Sequence, residues 1–274
     1  MNLAAVTNLR DSAWHMLALV AKNRRILSAT VQVELTKRYS GSALGKSWLL
    51  LQPTLLLSIY LFVYLVVFNV RFPEISSFEY CLYVFCGMIP FLGCSEAITG
   101  GCPIIKQNLH LLKNAIIPIE LVPIRGVLTS LAGQVVSLGV LLVLLAINGN
   151  LGLNAVWMPC VFVLQVLFLV GLVFILSPLA LVLPDIGYFV NLAMLLLMFV
   201  SPIGFRPDML PAHWRFMIYG NPLYYLMEMY RSSLFENRPP DPTVAFIFTA
   251  ICLGTFALGS AFLRRFKDVL VDFE

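Results

Sequence analysis

Gly41 and the run Gly45-Lys46-Ser47 supply the residue types that cradle a nucleotide phosphate. In a phosphate-binding loop, backbone N–H groups and one lysine surround the anion, and four residues separate the two glycines. Here only Ser42, Ala43 and Leu44 lie between them. The setting differs as well. Such a loop follows a buried strand and opens a helix, whereas Gly41 follows the basic stretch VQVELTKRYS, and Trp48 begins an apolar run with Pro53 just inside it. No soluble α/β segment offers a magnesium-binding aspartate, since LALVLPD, Leu179 to Asp185, ends another apolar run. The chain is therefore expected to hold no ATP site and not to be an enzyme by itself.

Other chemistry is sparse. His15, His110 and His213 stand in separate segments, without the His-Glu-x-x-His spacing of a zinc protease. The six cysteines, Cys81, Cys86, Cys94, Cys102, Cys160 and Cys252, form no C-x-x-C pair and sit in or beside apolar runs, as buried small hydrophobes do. No catalytic residue and no metal site are expected. Glu79, Glu120, Asp185 and Glu228 fall at the ends of apolar runs or in short helices, and nothing pairs them for acid–base work. Glu96 alone lies well inside an apolar run. A carboxylate there is a functional candidate by its cost, although its place near one end also lets it reach water.

The elements around these residues are membrane helices. The sequence is 60% hydrophobic and 12% charged, with a mean hydropathy of +0.89, against roughly 25% charged residues in soluble domains. A membrane helix needs about 20 apolar residues. Six candidate spans run from about Ser47 to Val70, Glu79 to Thr99, Leu121 to Ile147, Ala155 to Leu183, Ile186 to Pro202 and Thr243 to Leu263. The expected fold is all-α: an integral membrane protein of six transmembrane helices, with an N-terminal amphipathic interface helix and short re-entrant outer helices.

An even number of spans leaves both termini on one side. Thirteen of the eighteen lysines and arginines then share that side, and Arg71, Arg206, Arg215, Arg231 and Arg238 take the other. The positive-inside rule places the richer side, with both termini, in the cytoplasm. The first forty residues hold six cations and lack the short apolar core and cleavage site of a signal peptide. The net charge of +4 reflects cations beside spans, so no nucleic-acid partner is expected.

Three segments outside the spans carry pattern. Residues 1–46 form a cytoplasmic segment in which Trp14 to Tyr39 lacks proline and glycine; Trp14, Leu17, Ala21, Val31 and Leu35 fall near one face, with Lys22, Arg25 and Lys37 towards the other. This reads as a basic helix on an anionic membrane surface, or as a small soluble extension. Residues 100–120 form the main cytoplasmic loop. Ile104, Ile105, Asn108, Leu111 and Leu112 suggest a short amphipathic helix between Pro103 and Pro118, either docking a soluble partner or lying on the membrane. Residues 204–242 are broken by Pro207, Pro211, Gly220 and Pro222, yet are too apolar for a solvated loop. Two short helices that dip into the outer leaflet fit, because irregular backbone at membrane depth must be buried in protein or line a wet cavity. An aromatic belt is the simpler alternative. Residues 264–274 form a cytoplasmic tail.

Ion coupling should leave acids or histidines near the midplane and two repeated halves. No internal repeat is visible, and the cores of five spans hold no ionisable residue, which favours a pathway worked by an external motor.

The segment KRYSGSALGKSWLLLQPTLLLSIYLFVYLVVF resembles the start of the ABC-2 family of membrane permeases, in particular its O-antigen and teichoic-acid exporter branch. Arg38, Tyr39, Ser42, Leu44, Gly45, Trp48 and Pro53 match the branch signature; Lys46 departs from the apolar or aromatic residue usual there. The segment LLKNAIIPIELVPIRGVLTSL is similar to the family's cytoplasmic loop and start of span three. In the outer segment Ser201, Pro202, Pro211, Trp214, Asn221, Pro222, Glu228 and Arg231 match the family pattern, and FLRRFKDVLVDFE resembles its tail.

The resemblance implies a homodimer of six-span subunits (transmembrane domain 47–263) in the bacterial inner membrane. It implies two cytoplasmic nucleotide-binding ABC subunits that hold the ATP and magnesium, and export of a lipid-linked polysaccharide, most often O-antigen. A permease for a drug or lipid, or for capsule or teichoic acid, is the alternative. Trp214, Asn221, Pro222, Tyr224, Tyr225, Glu228 and Arg231 would form the outer gate. Lys106, Asn108, His110 and Lys113 would couple to the ATPase. Arg38, Tyr39, Gly45, Lys46 and Trp48 would meet membrane lipids and a lipid headgroup, or serve as ordinary interface anchors. A sugar chain wants rings to slide on and few fixed charges. Tyr60, Tyr64 and Phe68 recur four apart on one helical face, and with Phe85 and Phe91 of the second span they are the candidate channel lining; packing or lipid contact is the plain alternative.

Overall fold

The computed structural model describes residues 3–67, 76–109 and 118–272, and it is helical with no β-strand among them. The N-terminal segment forms two helices rather than one: α1, Leu3–Lys22, and α2, Arg24–Tyr39. They part at Asn23, whose side-chain Nδ2 donates to the Leu19 carbonyl at 2.9 Å. Asparagine competes in this way for helix carbonyls, a break that hydrophobic periodicity does not register. α1 packs on the C-terminal helix and α2 on the third span.

A turn leads through a 3₁₀ segment, Gly45–Ser47, into α3, Trp48–Phe62, extended by a π-turn over Val63–Val67. α4, Ser77–Gly101, opens with a capping box in which the Ser76 hydroxyl accepts from the Glu79 N–H and the Glu79 carboxylate accepts from the Ser76 N–H. α5, Ile104–Gln107, is a single turn held by Ile104 and Ile105 in the core. α6, Leu121–Ile147, coincides with the expected third span. A 3₁₀ turn over Leu153–Trp157 precedes α7, Met158–Val182, and α8 is Ile186–Val200. The outer segment holds two 3₁₀ turns, then α9, Arg215–Tyr219, and α10, Pro222–Leu234. α11, Pro242–Asp272, carries the tail as helix.

Among the described residues four helices, α4, α6, α7 with its 3₁₀ lead, and α11, have the length and apolarity to cross a membrane. The 15 residues of α3 run on through the five of the π-turn, whereas α8 is apolar but only 15 residues long, about 22 Å at 1.5 Å per residue. That is short of a core of about 30 Å.

The core forms where α4 and α6, and α7 and α11, run together. Lipid offers no hydrophobic drive between helices, so small residues that admit close backbones decide such contacts. A Cβ on Gly259 would lie 2.1 Å from the Gly171 carbonyl oxygen, and one on Gly171 would lie 2.6 Å from the Phe256 backbone. Ion pairs gather one end of the bundle: Arg38 of α2 reaches Glu96 near the end of α4, and Lys267 of α11 reaches the buried Glu120 before α6 at 2.9 Å. The end of α2, the end of α4, the start of α6 and the end of α11 thus share a side.

Candidate functional site

The turn between α2 and α3 begins the site. Gly41 and Gly45 take φ values of +83° and +48°, a left-handed conformation that glycine adopts without a Cβ clash. Trp48 closes the turn, its indole N–H donating to the Ser42 hydroxyl at 2.8 Å. GSALGKSW is therefore a helix-to-helix connector, with α2 rather than a strand before it.

Behind this connector α3, α4 and α6 enclose a cavity of about 680 Å³. Arg38, Glu96, Tyr39 and Trp48 stand at its mouth; Ser95, Thr99, Gln134, Ser137 and Gln52 are polar lining groups, interleaved with leucines of α3 and with Ile89 and Leu92 of α4. Burial pulls the Arg38 pKa down, but the Glu96 carboxylate and its hydrogen bond outweigh it, and the guanidinium sits above its ordinary value. The pair is about 40% exposed on each side, a geometry in which ion pairs contribute about 0–1 kcal/mol. It therefore neutralises the mouth more than it stabilises the fold.

At the inner end Gln134 of α6 and Gln165 of α7 form a reciprocal amide pair, each Nε2 donating to the other's Oε1 at 2.8 Å. The Tyr230 hydroxyl of α10 donates to Gln165 Oε1 at 2.9 Å, and Gln165 Nε2 also reaches Cys94 Sγ at 3.2 Å and the Pro90 carbonyl at 3.4 Å. All three side chains are at least 96% buried. Gly93 makes the room, since a Cβ there would lie 1.7 Å from Gln134 Oε1.

The outer segment is fastened from two directions. Asn221 caps α10: its side-chain oxygen accepts from the Leu223 N–H at 3.0 Å while its Nδ2 donates to the Ser201 hydroxyl at 2.8 Å. Pro222 occupies the first turn, where a missing N–H costs nothing. Arg231 is 1% exposed. Its Nη2 donates to the Ile203 carbonyl at 2.5 Å and its guanidinium lies 4.0 Å from the centre of the Tyr83 ring, beside Gly87, where a Cβ would meet Nη2 at 2.7 Å. From α4, Tyr80 donates to the Gly204 carbonyl at 2.9 Å. Residues 201–205 are thus pinned between α4 and α10.

Of the residues expected from sequence, Arg38, Tyr39 and Trp48 meet at the cavity mouth. Phe91 lies in the core at 2% exposure, and Phe85 packs against it half-buried; neither lines the cavity. Phe68, His110 and Lys113 lie outside the described residues, as do the side chains of Lys46, Tyr60 and Tyr64. Lys106 is exposed. Asn108 turns inward and accepts from Arg125 Nη2 at 2.7 Å. Trp214 is half exposed, Glu228 meets Arg238 at 3.4 Å, and Tyr219, Tyr224 and Tyr225 form an edge-to-face chain of rings. Sequence reasoning passed over Gln134, Gln165 and Tyr230. The available signal was uncharged amides in the middle of apolar runs, where polar groups bond across helices.

Apolar helices around a partly polar cavity, with α10 fastened against α4, set the geometry, and comparison with known proteins gives the family. A model of the ABC-2 type transporter membrane family matches residues 26–235. The chain belongs to the ABC-2 type transporter family. Among curated relatives, this ABC-2 chain is 30% identical over 250 residues to the O-antigen export system permease protein RfbA of Myxococcus xanthus, covering 89% of this chain and 94% of that one. A Klebsiella pneumoniae protein of the same name is 28% identical over 250 residues, 89% and 95% of the two chains. A second from Klebsiella pneumoniae is 27% identical over 214 residues, 77% and 80%. The ABC-2 match takes in α2, the cavity and the outer segment through Phe235, so the site described above lies within the family's shared region.

Proposed function

We propose that this chain is the membrane subunit of an exporter that carries lipid-linked O-antigen across the bacterial inner membrane. The observation that carries the reading is similarity over 77–89% of the chain to three relatives bearing the name of O-antigen export permeases. The drug, lipid, capsule and teichoic-acid alternatives have no such support.

In this reading α3 with its π-turn, and the shorter α8, complete a set of six spans, and α9 and α10 dip into the outer leaflet and return. Both termini face the cytoplasm, as the distribution of lysine and arginine favours. Two copies pair: α8 exposes Tyr188, Phe189, Leu192 and Phe199, an apolar face suited to a second copy or to lipid. A separate ABC subunit binds ATP and magnesium and docks at the loop of Lys106, Asn108, His110 and Lys113. Arg38, Tyr39 and Trp48 meet the phosphate-bearing headgroup at the cavity mouth, and the helix pair around Asn221-Pro222 gates the outer side.

The direct test is ATPase activity of the purified permease–ATPase complex. Stimulation by lipid-linked O-antigen is the expected result; a deletion strain that still displays its O-antigen at the normal level removes the reading. Asn221→Ala and Pro222→Ala are expected to alter export while leaving membrane insertion intact, and unchanged export would count against the gate.

A further inference from the structure

The cavity and the outer helices are joined by side chains to which the export reading assigns no role. We propose that Gln134 is the group that contacts a saccharide in the 680 Å³ cavity, and that Gln165 and Tyr230 relay its presence to α10. This rests on the export reading.

The ligand class follows from the walls. Arg38 and Glu96 cancel at the mouth, and the remaining lining groups are neutral: Gln52 among leucines of α3, Ser95 and Thr99 beside Ile89 and Leu92 of α4, and Gln134 and Ser137 of α6. The volume lies within the range of about 300–1,000 Å³ of small-molecule sites. Hydroxyls and amides interleaved with apolar side chains match a neutral sugar, whose ring carries hydroxyls at its edge and C–H groups on its faces. A charged phosphate finds a partner only at Arg38.

The relay follows from hydrogen-bond capacity. A side-chain amide offers two donor hydrogens and two acceptor lone pairs. Gln165 is fully used: its Oε1 accepts from Gln134 and Tyr230, and its Nε2 faces Gln134, Cys94 and Pro90. Gln134 is not. Beyond the reciprocal pair, its Nε2 makes only a long contact to the Tyr230 hydroxyl at 3.5 Å, and Gln134 is the member on the cavity wall. A sugar hydroxyl both donates and accepts, so it completes Gln134 and withdraws the weak contact to Tyr230. The next residue, Arg231, holds the Ile203 carbonyl and the Tyr83 ring. Loosening Tyr230 therefore acts on the fastening of the outer segment. Gln134 contacts the ligand; Gln165 and Tyr230 are positioning residues.

The experiment uses the complete permease–ATPase complex in lipid nanodiscs, with O-polysaccharide released from its lipid by mild acid as the probe. Hydrogen–deuterium exchange is followed over residues 48–57 and 222–234. In the native complex the saccharide should slow exchange at 48–57 and speed it at 222–234 by at most about threefold, the equilibrium factor of one full side-chain hydrogen bond inside a bilayer. Tyr230→Phe keeps the ring and removes the hydroxyl: exchange at 222–234 should start high and stop responding, with protection at 48–57 retained. Gln134→Leu should lose both responses. The proposal is overturned if saccharide fails to protect 48–57, if it protects 48–57 without changing 222–234, or if Tyr230→Phe responds as the native complex does. Surface O-antigen display by the same strain tests the export reading separately, so normal display with an unresponsive cavity removes this proposal alone.

Discussion

Replacing Gly93 by alanine tests the architecture of the polar junction between α4, α6 and α7. The added Cβ would lie 1.7 Å from Gln134 Oε1, 2.6 Å from its Cδ and 3.1 Å from its Cβ. No rotamer of alanine relieves this, so the Gln134 side chain must leave. Overpacking of this kind costs about 1–3 kcal/mol, and the reciprocal amide pair with Gln165 is lost with it, at ~0.6 kcal/mol per hydrogen bond in a bilayer. The expected destabilisation of Gly93→Ala is therefore roughly 2–4 kcal/mol. The assay is reversible unfolding of the reconstituted permease by SDS titration, run as a double-mutant cycle with Gln134→Ala. In the Gln134→Ala background only the 3.1 Å approach to Cβ remains, so Gly93→Ala should cost less than about 1 kcal/mol there, a coupling typical of touching residues. A neutral Gly93→Ala, or equal costs in the two backgrounds, would refute the reasoning.

Three further outcomes are expected. Arg231→Lys keeps the charge but loses the planar group that lies over Tyr83 and reaches the Ile203 carbonyl; stability should fall by about 1–3 kcal/mol and O-antigen display with it, as read by surface immunoblot. Gly259→Ala brings a Cβ to 2.1 Å from a backbone carbonyl oxygen of α7. Backbone cannot step aside, so α7 and α11 must separate, and folded yield by fluorescence-detected chromatography should drop sharply, whereas Gly254→Ala, with open space around it, should not change it. Asp241 accepts from the Thr243 and Val244 backbone N–H groups ahead of α11, and these bonds hold its carboxyl below the ordinary value. The sign follows: its contribution is present above the unfolded pKa of about 3.9 and fades as pH falls through the lower folded value. Hydrogen exchange in the first turn of α11 should rise below that pH in the native chain and be high at all pH values in Asp241→Ala.

Most of the span boundaries were legible in the sequence because lipid forces every backbone group to bond within its own helix. Leu121–Ile147 emerged with the expected ends, and the α4 and α7 segments shifted by only a few residues. The irregular outer segment was legible from its closely spaced breakers, Pro207, Pro211, Gly220 and Pro222, whereas a single proline such as Pro90 in α4 or Pro178 in α7 is absorbed within the helix. The break at Asn23 was not, because it arises from one side chain competing for a backbone carbonyl. Nor was the pairing of Arg38 with Glu96, 58 residues apart, which tertiary packing alone brings about.

Phe91 shows the limit most clearly. It looked fit to line a channel, yet helical spacing states only which residues share a face. The packing of α4 turns Phe91 into the core and gives its share of the cavity wall to Ile89, Leu92, Ser95 and Thr99. The sequence by itself determined that this is a membrane protein with apolar helices of set position, since hydropathy and helix length are local properties. Only the tertiary structure decided which polar groups meet, because Gln134, Gln165 and Tyr230 belong to three helices that become neighbours through contacts between distant parts of the chain.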